Sequence, residues 1–204
     1  MTKKISPPPK FLIDRYKKWK SSEYLKNEVQ LRKLAFTGQN PSTMVISCCD
    51  SRIHATSIFG ADEGEFFIHR NIANLVPPYS PDGENHGTSA AIEYAIKELR
   101  VQHIIILGHK DCGGIIYGHH MHSSSANNNY EFINQWVSIL LPAYNIIQKD
   151  VSKQEQINQF EQESIKISIN NLFSFPFIKK AIAENNLLIR GLIHDIGSGN
   201  LKFL

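Results

Sequence analysis

The chain has 204 residues, 42% hydrophobic and 20% charged, a balance that suits one globular domain burying roughly 70% of its unfolded surface. A core of that size holds without disulfides or a structural metal, which excludes a stapled mini-protein. Lys plus Arg number 22 against 19 Asp plus Glu, a formal charge of +3, too near balance to mark nucleic acid or an anionic membrane as a partner.

No run approaches the roughly 18 apolar residues that span a bilayer. The amino terminus, MTKKISPPPK, is basic and then proline-rich with no apolar stretch. It reads as a disordered lead over residues 1–9 and not as a secretory signal. Three cysteines, two of them adjacent, indicate a reducing, cytoplasmic location, where a thiol binds metal or reacts sooner than it crosslinks.

Over residues 10–34, Leu12, Tyr16, Trp19, Tyr24, Leu25, Val29 and Leu31 recur among many charges at spacings near three and four, which predicts an amphipathic helical arm in one or two pieces. Its apolar face suits a partner subunit and its own domain equally. Thr43 to Cys48, Phe66 to His69 and His103 to Leu107 predict strands, and the row Ile104, Ile105, Ile106 suits a parallel strand covered on both faces. Gly87 opens a helix to Leu99. The polar run His119 to Tyr130 reads as a surface loop with His119, His120 and His122 solvated. Helices follow over Phe132 to Gln148 and Gln154 to Leu172, then a strand over Leu187 to His194. This alternation predicts a single α/β domain whose mostly parallel central β-sheet is flanked by helices.

Ligands in open α/β sheets collect beyond the carboxyl ends of the strands. Cys48-Cys49-Asp50-Ser51-Arg52 follows the first strand, and Gly108-His109-Lys110-Asp111-Cys112-Gly113-Gly114 follows the third. Strand alternation puts Cys48 and Asp50 on one side and Cys49 on the other, where it is expected to pack as a small hydrophobe. His109 and Cys112 have the spacing of one side of a helical turn. If the two strands are neighbours, Cys48, His109 and Cys112 converge. Two thiolates and an imidazole form a catalytic zinc set that leaves the fourth position to water, and such donors disfavour magnesium and calcium. Asp50 would complete a closed state as fourth ligand. Arg52 offers a guanidinium to hold that carboxylate in a bidentate pair, off the metal.

Cys-x-Asp-Ser-Arg at 48–52 followed by His-x-x-Cys-Gly-Gly at 109–114 resembles the β-class carbonic anhydrases, in the branch that includes the plant enzymes. The likeness runs through Gly64-Glu65-Phe66-Phe67, Arg70 to Tyr79 and Gly87 to Ala95, and is close from Gln39 to Gly114. It implies reversible hydration of carbon dioxide to bicarbonate and a proton by a zinc-bound hydroxide. Cys48, His109 and Cys112 would be the ligands and Asp50 with Arg52 the catalytic dyad. Gln39, Phe67, Tyr94 and the Gly113 N–H would meet CO2 or bicarbonate. The resemblance also implies a homodimer or higher even homo-oligomer, because the family builds its active site at a subunit interface. Some bacterial members bind inhibitory bicarbonate through a Trp three residues before the first zinc cysteine. Val45 stands there in this chain, so that regulation is not expected.

Two other classes stay open on the residues alone. One is a non-catalytic zinc-binding domain with Asp50 as permanent fourth ligand. The other is a thiol enzyme with Cys48 as nucleophile and His109 as base, which alkylation would inactivate and chelators would not.

Overall fold

The computed structural model describes residues 6–82, 86–123, 129–184 and 186–204. The chain divides into two compact units, Met1–Gln39 and Asn40–Leu204. In the leading unit, α1 (Lys10–Ser21) and α2 (Glu23–Thr37) realise the arm in two pieces. Ser22 departs from helical geometry at φ −128° and ψ −79°, and its N–H returns to the Trp19 carbonyl at 3.2 Å. Pro9 stands immediately before α1. Of the lead over residues 1–9, residues 1–5 lie outside the described residues. No residue of either helix is buried, so Phe11, Tyr16, Leu25, Val29 and Phe36 keep their apolar surface in water.

The second unit runs β1 (Thr43–Cys48), α3 (Ala55–Phe59), β2 (Phe66–Asn71), α4 (Gly87–Lys97), β3 (His103–His109) and α5 (Gly113–Ser123). It continues through α6 (Ile133–Val137), α7 (Leu141–Ile146), α8 (Lys153–Leu172), α9 (Pro176–Ala183), β4 (Leu188–His194) and β5 (Leu201–Phe203). The sheet order is β2-β1-β3-β4-β5, parallel except for β5, which pairs antiparallel with β4. Alternation along the strands divides the apolar residues between two faces. Met44, Ile46, Ile104 and Ile106 pack with Ile92, Ile165, Phe175 and Ile178. Val45 and Leu107 pack with Ile53 and Leu192 on the other face. Burial on both faces explains why β1 reads as a continuous apolar run. Among the described residues no helix is long and apolar enough to cross a membrane.

Two expected elements differ. The helix expected over Phe132 to Gln148 is broken into α6, a 3-10 turn over Ser138–Leu140, and α7. Pro142 in the first turn of α7 has no N–H to extend the preceding helix, so the chain restarts there. The loop expected from His119 is instead the second half of α5, and residues 124–128 lie outside the described residues. His119 is buried, not solvated. Its Nε2 meets Gln156 Oε1 at 2.9 Å, and its ring packs against Tyr144 and Phe160.

Candidate metal centre

Ser47 and Leu107 are register partners, so β1 and β3 end side by side and their following loops share one crevice. There the ligand atoms of Cys48, His109 and Cys112, all buried, lie within 4.8 Å of one another. The two thiols are 3.8 Å apart. His109 and Cys112 do not belong to one helical turn, as their spacing suggested. His109 ends β3, Asp111 turns the chain in the left-handed region at φ 54°, and Cys112 precedes α5. Cys49 does not belong to the cluster but is exposed, so it does not pack within this chain as expected.

The donor set fits a metal. His109 Nδ1 lies 3.0 Å from the Lys110 carbonyl, an acceptor that holds the proton on Nδ1 and leaves the Nε2 lone pair free. That Nε2 is buried and, among the described residues, has no hydrogen-bond partner. Leaving such a group unsatisfied costs about 1–3 kcal/mol; a cation between it and the two sulfurs removes the cost. The Cys48 thiol pKa is lowered, first by the hydrogen bond from the Cys112 thiol, against its burial, and then by His109 and the N–H groups of Asp50 and Ala73. The Cys112 pKa is raised by its contact with Cys48 and by burial. The Asp50 N–H reaches Cys48 Sγ at 3.4 Å, and the N–H groups of Gly114 and Ile115 favour the Cys112 thiolate. Such backbone donors steady charge on both sulfurs.

Asp50 and Arg52 form the expected bidentate pair. Arg52 Nε donates to Oδ1 at 2.9 Å and Nη2 to Oδ2 at 2.7 Å, and the Arg52 backbone N–H adds a third bond to Oδ1. Asp50 Oδ2 lies 3.9 Å from His109 Nε2, at the rim of the cluster. Sequence reasoning missed Arg70, whose guanidinium donates to the carbonyls of Cys48 (2.9 Å) and Asp50 (2.8 Å) and so fixes the backbone between those two residues. Asn71, which brackets the Ile72–Asn74 turn through both the N–H and the carbonyl of Leu75, was missed too. Both stand in the stretch that carried the family likeness, but nothing in their spacing marked the role.

The remaining expected residues stand on or beside several different elements. Gly113 opens α5 immediately after Cys112. Phe67 and Tyr94 pair with ring centroids 5.9 Å apart. Phe67 is the register partner of Met44, four residues from Cys48, or roughly 13 Å along a strand. Gln39 is exposed at the end of the leading unit.

Residues 43–201 match the family model described as carbonic anhydrase. The chain is 38% identical over 184 residues to beta carbonic anhydrase 3 of Arabidopsis thaliana, covering 89% of this chain and 70% of that protein. The chain belongs to the β-carbonic anhydrase family. Among solved structures, one of the two tetrameric β-carbonic anhydrases from Sordaria macrospora is 31% identical, with a TM-score of 0.80 and 95% of each chain covered. The β-carbonic anhydrase CafA of Aspergillus fumigatus is 30% identical with a TM-score of 0.78, covering 95% of this chain and 88% of that one. As a β-carbonic anhydrase this chain is a zinc lyase that reversibly hydrates CO2 to bicarbonate.

Proposed function

We propose that this β-carbonic anhydrase performs CO2 hydration at the Cys48, His109, Cys112 centre with Asp50 and Arg52 as its dyad. The whole chain would act as one catalytic domain with a helical arm. The observation that carries this reading is the two-bond grip of Arg52 on Asp50 beside the cluster. Cys48, His109 and Cys112 would hold zinc, which would supply the Lewis acidity that lets water ionise near neutral pH. Asp50, kept ionised, accepts a hydrogen bond from the reacting water and orients a lone pair toward the carbon of CO2. Arg52 keeps that carboxylate from taking the water's place. CO2 carries no charge to grip, so Phe67 offers an apolar wall, with Tyr94 against its ring. The Gln39 amide and the Gly113 N–H donate to the oxygens that become anionic, and a donor of this kind is worth about 3 kcal/mol in the transition state.

We further propose a homodimer or higher even homo-oligomer in which Phe67 and Tyr94 serve the metal centre of a neighbouring copy. The separation of Phe67 from Cys48 along the strand supports this, as do the exposed apolar residues of α1 and α2 and the tetrameric relative. Three free cysteines suit a cytoplasmic location. Complementation tests the sharing: inactive Cys48→Ser and Phe67→Ala chains, unfolded and refolded together, should regain activity in mixed oligomers. No recovery, with mixed oligomers demonstrated, would place each pocket within a single chain.

A further inference from the structure

The inward stripe of α8 carries polar residues where a core-facing stripe is ordinarily apolar. Glu161, Ser164 and Ser168 are almost fully buried among Ile157, Phe160, Ile165 and Leu172. Ser168 accepts the Val76 N–H and reaches the Asn74 carbonyl, and Ser164 bonds within the helix. Glu161 instead faces the loop that carries two metal ligands. Its Oε1 accepts the Cys112 N–H at 3.3 Å. Oε2 lies 3.5 Å from Lys110 Nζ, and that ammonium donates to Asn158 Oδ1 at 2.8 Å. The turn held this way contains Asp111, a non-glycine residue in the left-handed region, a conformation that surrounding structure must enforce. Burying a carboxylate is costly unless it is paired and bonded, and a neutral apolar residue would fill this helix position at less cost.

We propose that Glu161 is a positioning residue for the zinc centre: it holds the Cys112 N–H and so fixes that ligand's sulfur at a metal-binding distance from Cys48 and His109. This rests on the zinc reading of the three ligands. The chemistry is second-layer support of a ligand, which typically changes metal affinity about 10- to 100-fold when removed.

The test follows zinc transfer from the holoenzyme to a chromogenic chelator. Glu161→Leu should lose zinc at least about tenfold faster than the parent, and Glu161→Gln, which retains a carbonyl acceptor, should stay within about threefold. In cobalt-loaded protein the visible d–d bands should shift for Glu161→Leu and match the parent for Glu161→Gln. Parental zinc retention in folded Glu161→Leu would overturn the proposal, as would equal loss from both variants, which would make charge the agent and not the hydrogen bond. Should Glu161→Leu fail to fold, amide exchange in the unmutated holoenzyme decides. A protected Cys112 N–H supports the proposal, and exchange at the rate of an open loop refutes it. A parent that holds no zinc at the outset would instead overturn the metal reading itself.

Discussion

Arg52 holds Asp50 by both carboxylate oxygens and, through Nη2, also donates to the Asp111 carbonyl at 3.2 Å. The guanidinium therefore ties Asp50, on the β1 side of the crevice, to the loop bearing His109 and Cys112. Cys48, His109, Cys112 and the carboxylate are thereby held together, with Asp50 Oδ2 3.9 Å from His109 Nε2.

Releasing that grip should close the site. In Arg52→Ala, Asp50 is free to move the short distance to the metal and take the fourth position, and turnover should fall at least about 100-fold with zinc retained. Metal analysis, stopped-flow CO2 hydration and zinc-edge X-ray absorption check this together. Normal rates with three protein ligands would refute the gate.

The pH profile should separate dyad from water. The Arg52 side-chain hydrogen bond holds the Asp50 carboxyl well below the usual carboxylate range, outweighing burial, with the Arg52 backbone N–H adding to it. Its folded value is thus depressed below its unfolded one. The stability it contributes is present above an unfolded pKa of about 3.9 and is lost only in stronger acid, as pH falls through the folded value. Asp50 accordingly adds no inflection near neutrality. Hydration should rise from about pH 7 to about pH 9 as the reacting water ionises, and a flat profile across that range would contradict the assignment.

Removing the amide at position 39 should affect turnover and not metal. Gln39→Ala is expected to lower kcat by about 100-fold, the effect of losing one preorganised donor, with zinc content and thermal midpoint unchanged. A fall in zinc content parallel to the fall in rate would show that the residue acts structurally.

Close packing behind the cluster makes Gly114 sensitive. A Cβ there would lie 2.6 Å from Ile72 Cγ2, 3.1 Å from Ala73 Cβ and 3.3 Å from the Ala73 backbone nitrogen. The neighbouring turn is already in the left-handed region at Ala73 and Asn74. Gly114→Ala should destabilise the protein by about 1–3 kcal/mol, read as a lower urea midpoint. An unchanged midpoint would show that the turn yields freely.

The strands and the metal set were legible in the sequence because each is written locally. β-branched apolar runs mark β1 and β3, and the ligands stand in the segments directly after them. What was not legible depends on partners distant in sequence. His119 looked solvated in a polar run, yet α8 brings Gln156 and Phe160 to it. The His109–Cys112 spacing looked helical because nothing local announces the left-handed Asp111. The break before α7 was written in Pro142 but was outweighed by the apolar periodicity around it. Glu161 left only a faint trace, an acid on the apolar stripe of a helix. Phe67 and Tyr94 were marked only by family likeness, and the separation of Phe67 from Cys48 follows from register.

The most direct measurement is stopped-flow CO2 hydration by the purified chain, with zinc quantified before chelation, after it and after metal is restored. We expect one zinc per chain, rapid hydration, loss of activity as zinc leaves and recovery as it returns, with thiol alkylation of the zinc-loaded enzyme having little effect. Hydration that persists in zinc-free protein, or a fully loaded protein that does not hydrate CO2, would contradict the account.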